Sequence, residues 1–202
     1  DTPTDPTEPT TPAETQPTAA PTEPAAGGDY QKITTIDQLT TGKYVLVVNT
    51  GAAMTVYDST NWVFAGNPTI DGDTITAANA EGFIWNLTVD GTTVKLQDAN
   101  GVFIKPKAGN NNGMQSGEYS WDVVCTDGTF RFNGTGSDTT SLAYNNTSGN
   151  YKFRSYKTTT ISGSPNSYLC NFTLYKLVEE TSDEPDTILV GTSYSIHLIE
   201  PW

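Results

Sequence analysis

Between residues 30 and 178, apolar and polar side chains alternate with a period of two, and Gly, Asn or Asp interrupts the alternation every few positions. That pattern, rich in β-branched and aromatic residues, predicts short strands separated by tight turns. The predicted strands are KYVLVVN, AAMTVY, WVFAG (or the following TITA), FIWNLTV, TVKLQD, VFIKP, GMQSG, SWDVVC, TFRFNG, SLAYN, YKFRSY and FTLYKL. Only TTIDQLTTG at 34–42 carries a helical signal: Thr35 and Gln38 have capping-box spacing, and Gly42 can end a single turn.

The strands fall into three groups of four. Each group opens after a glycine, at Gly42, Gly91 and Gly128, and closes on an aromatic residue two positions before an aliphatic one. Those closing pairs are Trp85/Leu87, Trp121/Val123 and Phe172/Leu174. A unit this small cannot cover its own apolar face, so the copies must share a core. The expectation is an all-β domain, a β-trefoil-like closed barrel of three four-stranded repeats, with a two-sheet β-sandwich as the alternative. Closure would also remove exposed sheet edges. The Asp-Gly pairs at 90–91 and 127–128 read as equivalent hairpin turns. Spacing between copies is uneven, 36 positions from Trp85 to Trp121 and 51 from Trp121 to Phe172, and TTTISGSPNSY (158–168) reads as the loop insertion responsible.

The stretches GKYVLVV…AMTVY, DANGVFIKPKAGNNNG and YKFRSYK…FTLYKL resemble accessory β-domains on secreted proteins of gut anaerobes. Such domains accompany surface glycan-capture systems, including starch-adherence proteins, and some extracellular nucleases and phosphatases. The resemblance implies an extracellular or cell-surface setting and a starch-like α-glucan as first ligand. It rests on strand and turn residues and brings over no set of binding residues.

Charge divides the chain. The formal net charge is −13, but residues 1–30 and 179–202 hold six acids each and no Lys or Arg, which leaves 31–178 with eleven acids against ten bases. No nucleic-acid partner is expected of the whole chain on that account. The first 28 residues hold seven of the twelve prolines and no large apolar side chain, so they cannot offset the entropy of ordering. We therefore divide the chain into a Pro/Thr-rich spacer (1–29), a binding domain (30–178) and an acidic linker and tail or the start of a next module (179–202). Neighbouring modules of the same protein are expected partners. The longest strongly apolar run, YVLVV at 44–48, is far short of the roughly 20 residues a membrane helix needs, so no membrane insertion is expected.

Chemistry narrows further. The one histidine, His197, lies in the tail, so no Ser-His-Asp or Cys-His arrangement and no His/Cys metal cluster can form within 30–178. Asp71, Asp73, Asp90, Asp98 and Asp127 read as turn residues, and no EF-hand-like spacing exists. The expectation is a non-enzymatic chain with no catalytic residue, metal or cofactor. Cys125 and Cys170 permit one disulfide, and their spacing leaves its formation open.

What remains suits a polysaccharide or oligosaccharide, whose C–H faces lie on aromatic rings while amides and carboxylates bond the hydroxyls. Trp85, Trp121 and Phe172 recur and read as core, as do Tyr44, Phe130, Phe132 and Phe153 on alternating positions. Trp62 has no counterpart and lies in the polar stretch YDSTNWVF. It is the candidate stacking platform, with Tyr57 and Tyr144 as rim rings or barrel caps, and Asp58 and Asn61 as hydroxyl partners. Asn110, Asn111 and Asn112 read as a turn. In YKFRSYK, Lys152, Arg154 and Tyr156 share one face, which reads as solvated or as an anion-binding surface. Residues 186–202 read either as strands of a next module or as a strand offered to another sheet edge. The leading reading is a non-catalytic extracellular carbohydrate-binding module. Its alternatives are a structural or protein-interaction domain of a surface assembly, and an accessory domain of a secreted nuclease.

Overall fold

The computed structural model describes residues 28–109 and 112–179. Most of the spacer, Asn110, Asn111, and the tail with His197 and Trp202 lie outside the described residues. Six strands form a ring: β2 (Gly42–Val48), β6 (Trp85–Asp90), β7 (Thr93–Gln97), β10 (Trp121–Thr126), β11 (Thr129–Asn133) and β15 (Phe172–Leu177). Each pairs antiparallel with the next, and β15 pairs back onto β2 with Leu174 opposite Leu46. Three hairpins complete the repeats: β3 (Ala53–Tyr57) with β4 (Val63–Gly66), β8 (Ile104–Pro106) with β9 (Met114–Ser116), and β12 (Thr140–Asn145) with β13 (Lys152–Lys157). The chain is all-β, as expected, and its dominant feature is one large antiparallel sheet that contains this ring.

Alternation decides which side chains fill the ring. Tyr44, Leu46 and Val48 point inward from β2, Trp85 and Leu87 from β6, Trp121 and Val123 from β10, Phe130 and Phe132 from β11, and Phe172 and Leu174 from β15. Trp85, Trp121 and Phe172 are fully buried, so the recurrent aromatics belong to a shared interior. Truncating one such ring to alanine costs about 3–5 kcal/mol. The Trp121 indole donates to the Ile104 carbonyl at 3.2 Å, whereas the Trp85 indole N–H has no partner among the described residues.

β2 is buried on both faces, which explains why YVLVV is continuous rather than alternating. Its outward Val45 and Val47 lie under a second cluster with Tyr30, Ala53, Ile75, Ala80 and Tyr175. That cover comes from β1 (Tyr30–Ile33), which pairs with β15, and from the segment joining β4 to β6, which contains β5 (Thr74–Ile75) and α1 (Ala77–Ala80). The corresponding segment between β13 and β15 contains α2 (Thr158–Gly163) and β14 (Tyr168–Leu169). There Ile161 packs with Ala143, Tyr156, Cys170 and Tyr168. In the second repeat, β9 and β10 are joined by residues 117–120 alone.

Three expectations change here. The predicted loop at 158–168 contains a helix, and α1 was not anticipated. Both are of six residues or fewer, too short for a 3.6-residue period to register. They are held by tertiary burial and, at α1, by the Thr76 hydroxyl accepting from the Asn79 N–H at 3.3 Å. The two Asp-Gly pairs are also not equivalent. Asp127 and Gly128, at φ 50° and 74°, are the two central residues of the β10–β11 turn. Asp90 instead pairs with Thr93 as the last residue of β6, and Gly91, at φ 59°, leads the turn. The predicted single turn after Thr35 is present as a 3₁₀ turn, Ile36–Gln38, with the Gln38 side chain accepting from the Thr34 and Thr35 N–H groups.

Candidate functional site

The stretch DSTNW joins β3 to β4 and is organised by its own first residue. The Asp58 carboxylate accepts from the backbone N–H of Thr60 (2.8 Å), Asn61 (2.9 Å) and Trp62 (3.1 Å), and from the Thr60 hydroxyl. Burial on its own would raise this carboxyl, but those hydrogen bonds outweigh it and hold Asp58 below the usual carboxylate value. Asp58 is thus a loop staple, and much of its acceptor capacity is committed internally. Asn61 is similarly engaged: its backbone carbonyl accepts from the Met114 N–H at 2.9 Å, which stitches the loop to β9. A Cβ on Gly113 would collide with the Asn61 side-chain oxygen, so this close approach requires glycine.

Trp62 leaves that loop half-buried, with the Lys152 ammonium 3.9 Å from its ring centroid. Phe64 follows on the same face of β4, 49% exposed, and pairs across to Lys152 of β13. Trp62, Phe64 and Lys152 therefore form one outward-facing group. Sequence reasoning missed Phe64, although the WVF alternation places residues 62 and 64 on one side.

Tyr57 and Tyr144 do not join it. They are 8% and 6% exposed and sit in the main core, Tyr144 with its ring centroid 4.9 Å from that of Phe153. Burial pushes both phenols up. Their ring faces are covered by packing in that core. The edge of Tyr144 reaches a small cavity of about 290 Å³, shared with Asn67 and the 57%-exposed Tyr151. The face Lys152/Arg154/Tyr156 is corrected as well. Tyr156 is 2% exposed inside the third cluster, with the Arg154 guanidinium 5.5 Å from its ring centroid.

Two further acids serve structure. Asp98 is fully buried and accepts from the N–H groups of Tyr57 (3.0 Å), Asn100 (3.0 Å) and Val102 (2.9 Å), which ties the second repeat to the first. Asp73 pairs with Lys32 at 2.9 Å. Among the described residues no group of three or more His, Cys, Asp or Glu side chains is placed to hold a metal ion. Cys125 and Cys170 are both free thiols.

No protein-family model matches the chain, and no curated protein matches it. Among solved structures it is similar to the cytolethal distending toxin of Haemophilus ducreyi, at 15% identity and a TM-score of 0.49 over 69% of this chain and 86% of that one. The cytolethal distending toxin of Actinobacillus actinomycetemcomitans gives 14% and 0.46 over 69% and 92%. A GlcNAcα1-4Gal-releasing endo-β-galactosidase from Clostridium perfringens gives 16% and 0.48 over 68% of this chain and 32% of that one. The match thus spans about a third of the galactosidase. One expectation is corrected at this point. The lack of a histidine in the domain had pointed to a non-enzymatic chain, but the chains similar to it include a galactosidase, and the expectation is not retained.

Proposed function

We propose that this is an extracellular carbohydrate-binding domain whose ring and three hairpins form a β-trefoil, and that Trp62 and Phe64 stack on the sugar. The observation that carries this reading is the pair of aromatic side chains at the start of β4, half-buried Trp62 just before the strand and 49%-exposed Phe64 on its outer face, beside Lys152. Exposed aromatic rings side by side offer apolar faces on which the C–H faces of a sugar chain can stack. Asp58 and Asn61 act here mainly by holding the Trp62 loop in place, with their unused acceptor positions facing the ligand. Tyr57 and Tyr144 support the platform from beneath rather than touching the sugar. A starch-like α-glucan, the ligand implied by the resemblance to glycan-capture systems of gut anaerobes, is the first to test. Affinity per site should be roughly micromolar to millimolar, since one or two stacked rings supply only a few kcal/mol.

The test is depletion of the full chain from solution by insoluble starch, cellulose, xylan and mucin, with single-stranded DNA on beads as a further arm. Retention on one polysaccharide that both Trp62→Ala and Phe64→Ala weaken at least about tenfold supports the reading. Binding to none of the polysaccharides, or binding that neither substitution changes, refutes it. Lys152 over Trp62 also favours a second reading, a single-stranded nucleic acid stacked on the same rings. Retention on DNA alone, lost as salt rises, would replace the first reading with this one.

A further inference from the structure

The segment 158–171 does more than lengthen the third repeat. Between it and the outer face of β11 lies a cleft of about 510 Å³, within the size range of small-ligand sites. Ile161 and Leu169 supply apolar wall, and Ser141, Thr158, Asn166 and Tyr168 supply hydroxyl and amide groups. Among the described residues the single charged one lining it is Arg131, and no carboxylate lines it.

Arg131 is oriented in advance. Its Nε–H and one Nη2–H donate to the Asn171 side-chain oxygen at 3.3 and 2.9 Å. A guanidinium has five N–H donors, so this fixes one edge of the fork and leaves the other three to face outward. No Asp or Glu lies within ion-pair distance of it among the described residues, where the ion pairs are Lys32–Asp73 and Lys95–Glu118. The exposed Val124 is its cross-strand neighbour on β10.

We propose that this cleft binds a carboxylate-bearing saccharide residue. The open edge of Arg131 takes the carboxylate in a two-point bond, Asn171 acts as a positioning residue, and Thr158 and Asn166 bond ring hydroxyls. A guanidinium pairs with carboxylate and phosphate alike, but inorganic phosphate is too small to reach the hydroxyl and amide lining as well and would leave it without partners. A plain aliphatic acid would leave the hydroxyl and amide lining without partners, which is unfavourable. The site is on a different face element from Trp62 and Phe64, so it stands or falls independently of the stacking surface.

The experiment is titration of the isotope-labelled full chain with D-galacturonate, N-acetylneuraminate, D-galactose and inorganic phosphate, followed by NMR. Expected is saturable movement of the Arg131 Nε–H signal and of backbone amides within 158–171 with the two acidic sugars, and none with galactose or phosphate at the same concentrations. Arg131→Gln should weaken this binding roughly tenfold to a hundredfold, the range for a charge-assisted hydrogen bond. Arg131→Lys should restore only part, and Phe64→Ala should leave it unchanged. An unaltered melting temperature in Arg131→Gln shows that the fold survives. The proposal is overturned if neither acidic sugar moves these signals, if galactose or phosphate moves them equally, or if Arg131→Gln binds as well as the parent.

Discussion

Residues 67–84 and 158–171 occupy corresponding places in the first and third repeats, and they meet the ring on very different terms. The first lies over β2, whose outward residues are Val45 and Val47, and it answers with Ile75 and Ala80, both fully buried. The second packs on β12 and β13, with Ile161 against Ala143 and Tyr156, and beside it β11 turns the polar Arg131 outward. An added segment seals onto an apolar strand face because each side chain removed from water contributes. Over a polar face no such gain exists, and a cleft remains. The chemistry of two outward positions on one strand thus decides whether an insertion becomes core or becomes the wall of a site.

The sharpest way to break that contrast is to hollow out the sealed insertion. Ile75→Ala should cost about 2–5 kcal/mol, the usual toll of a fully buried branched side chain, read from the midpoint of urea unfolding. A cost below about 1 kcal/mol would mean that residues 67–84 rest on the ring without being part of its core. Ile161→Ala should cost less, about 2 kcal/mol, because its partners form a smaller cluster that can relax. The same variant should speed thiol labelling of Cys170, whose burial pushes its thiol up despite the opposing charge of Arg131, while labelling of Cys125 stays unchanged. Equal acceleration at both cysteines would show global loosening instead.

The Trp62 loop sharpens the contrast differently, since it is held by a carboxylate rather than by buried hydrocarbon. Asp58 has a lowered folded value, so its stabilising hydrogen bonds are fully present above its ordinary value of 3.8 and are lost as pH falls through the folded one. Amide-exchange protection of Thr60, Asn61 and Trp62 should therefore hold at mildly acidic pH and decline below 3.8. Asp58→Asn keeps an acceptor oxygen and should abolish that pH step; a step that persists assigns it to another group. Smallest of all is the stability change in Arg131→Gln, within about 0.5 kcal/mol for an exposed side chain. A larger loss by thermal unfolding would give Arg131 a structural role over β11.

Much of this was readable from the chain. Trp85/Leu87, Trp121/Val123 and Phe172/Leu174 repeat because they hold the same inward positions on three ring strands, and period-two alternation states that directly. Gly128 could be placed in a turn because only a few residue types tolerate its backbone. Two things were not readable. Tyr57 and Tyr144 end their strands beside polar residues, and their burial comes from hairpins folding back over them, a tertiary effect with no local signature. Lys152 reaches Trp62 only through the pairing of β13 with β4. Asp58 had a local signal after all: an aspartate followed by Ser, Thr and Asn is turn chemistry, and its carboxylate serves nearby N–H groups before any ligand.

The pairing of β1 with β15 sets how the domain would respond to tension. Tyr30 lies opposite Leu177, and the Val178 N–H donates to the Asp29 carbonyl at 2.9 Å, so the chain enters and leaves the domain side by side. A pull applied between those two points would open the antiparallel bonds one after another, like a zipper, rather than shear them all at once. β1 would peel away at low force while the closed ring behind it, whose first and last strands grip each other, stays intact.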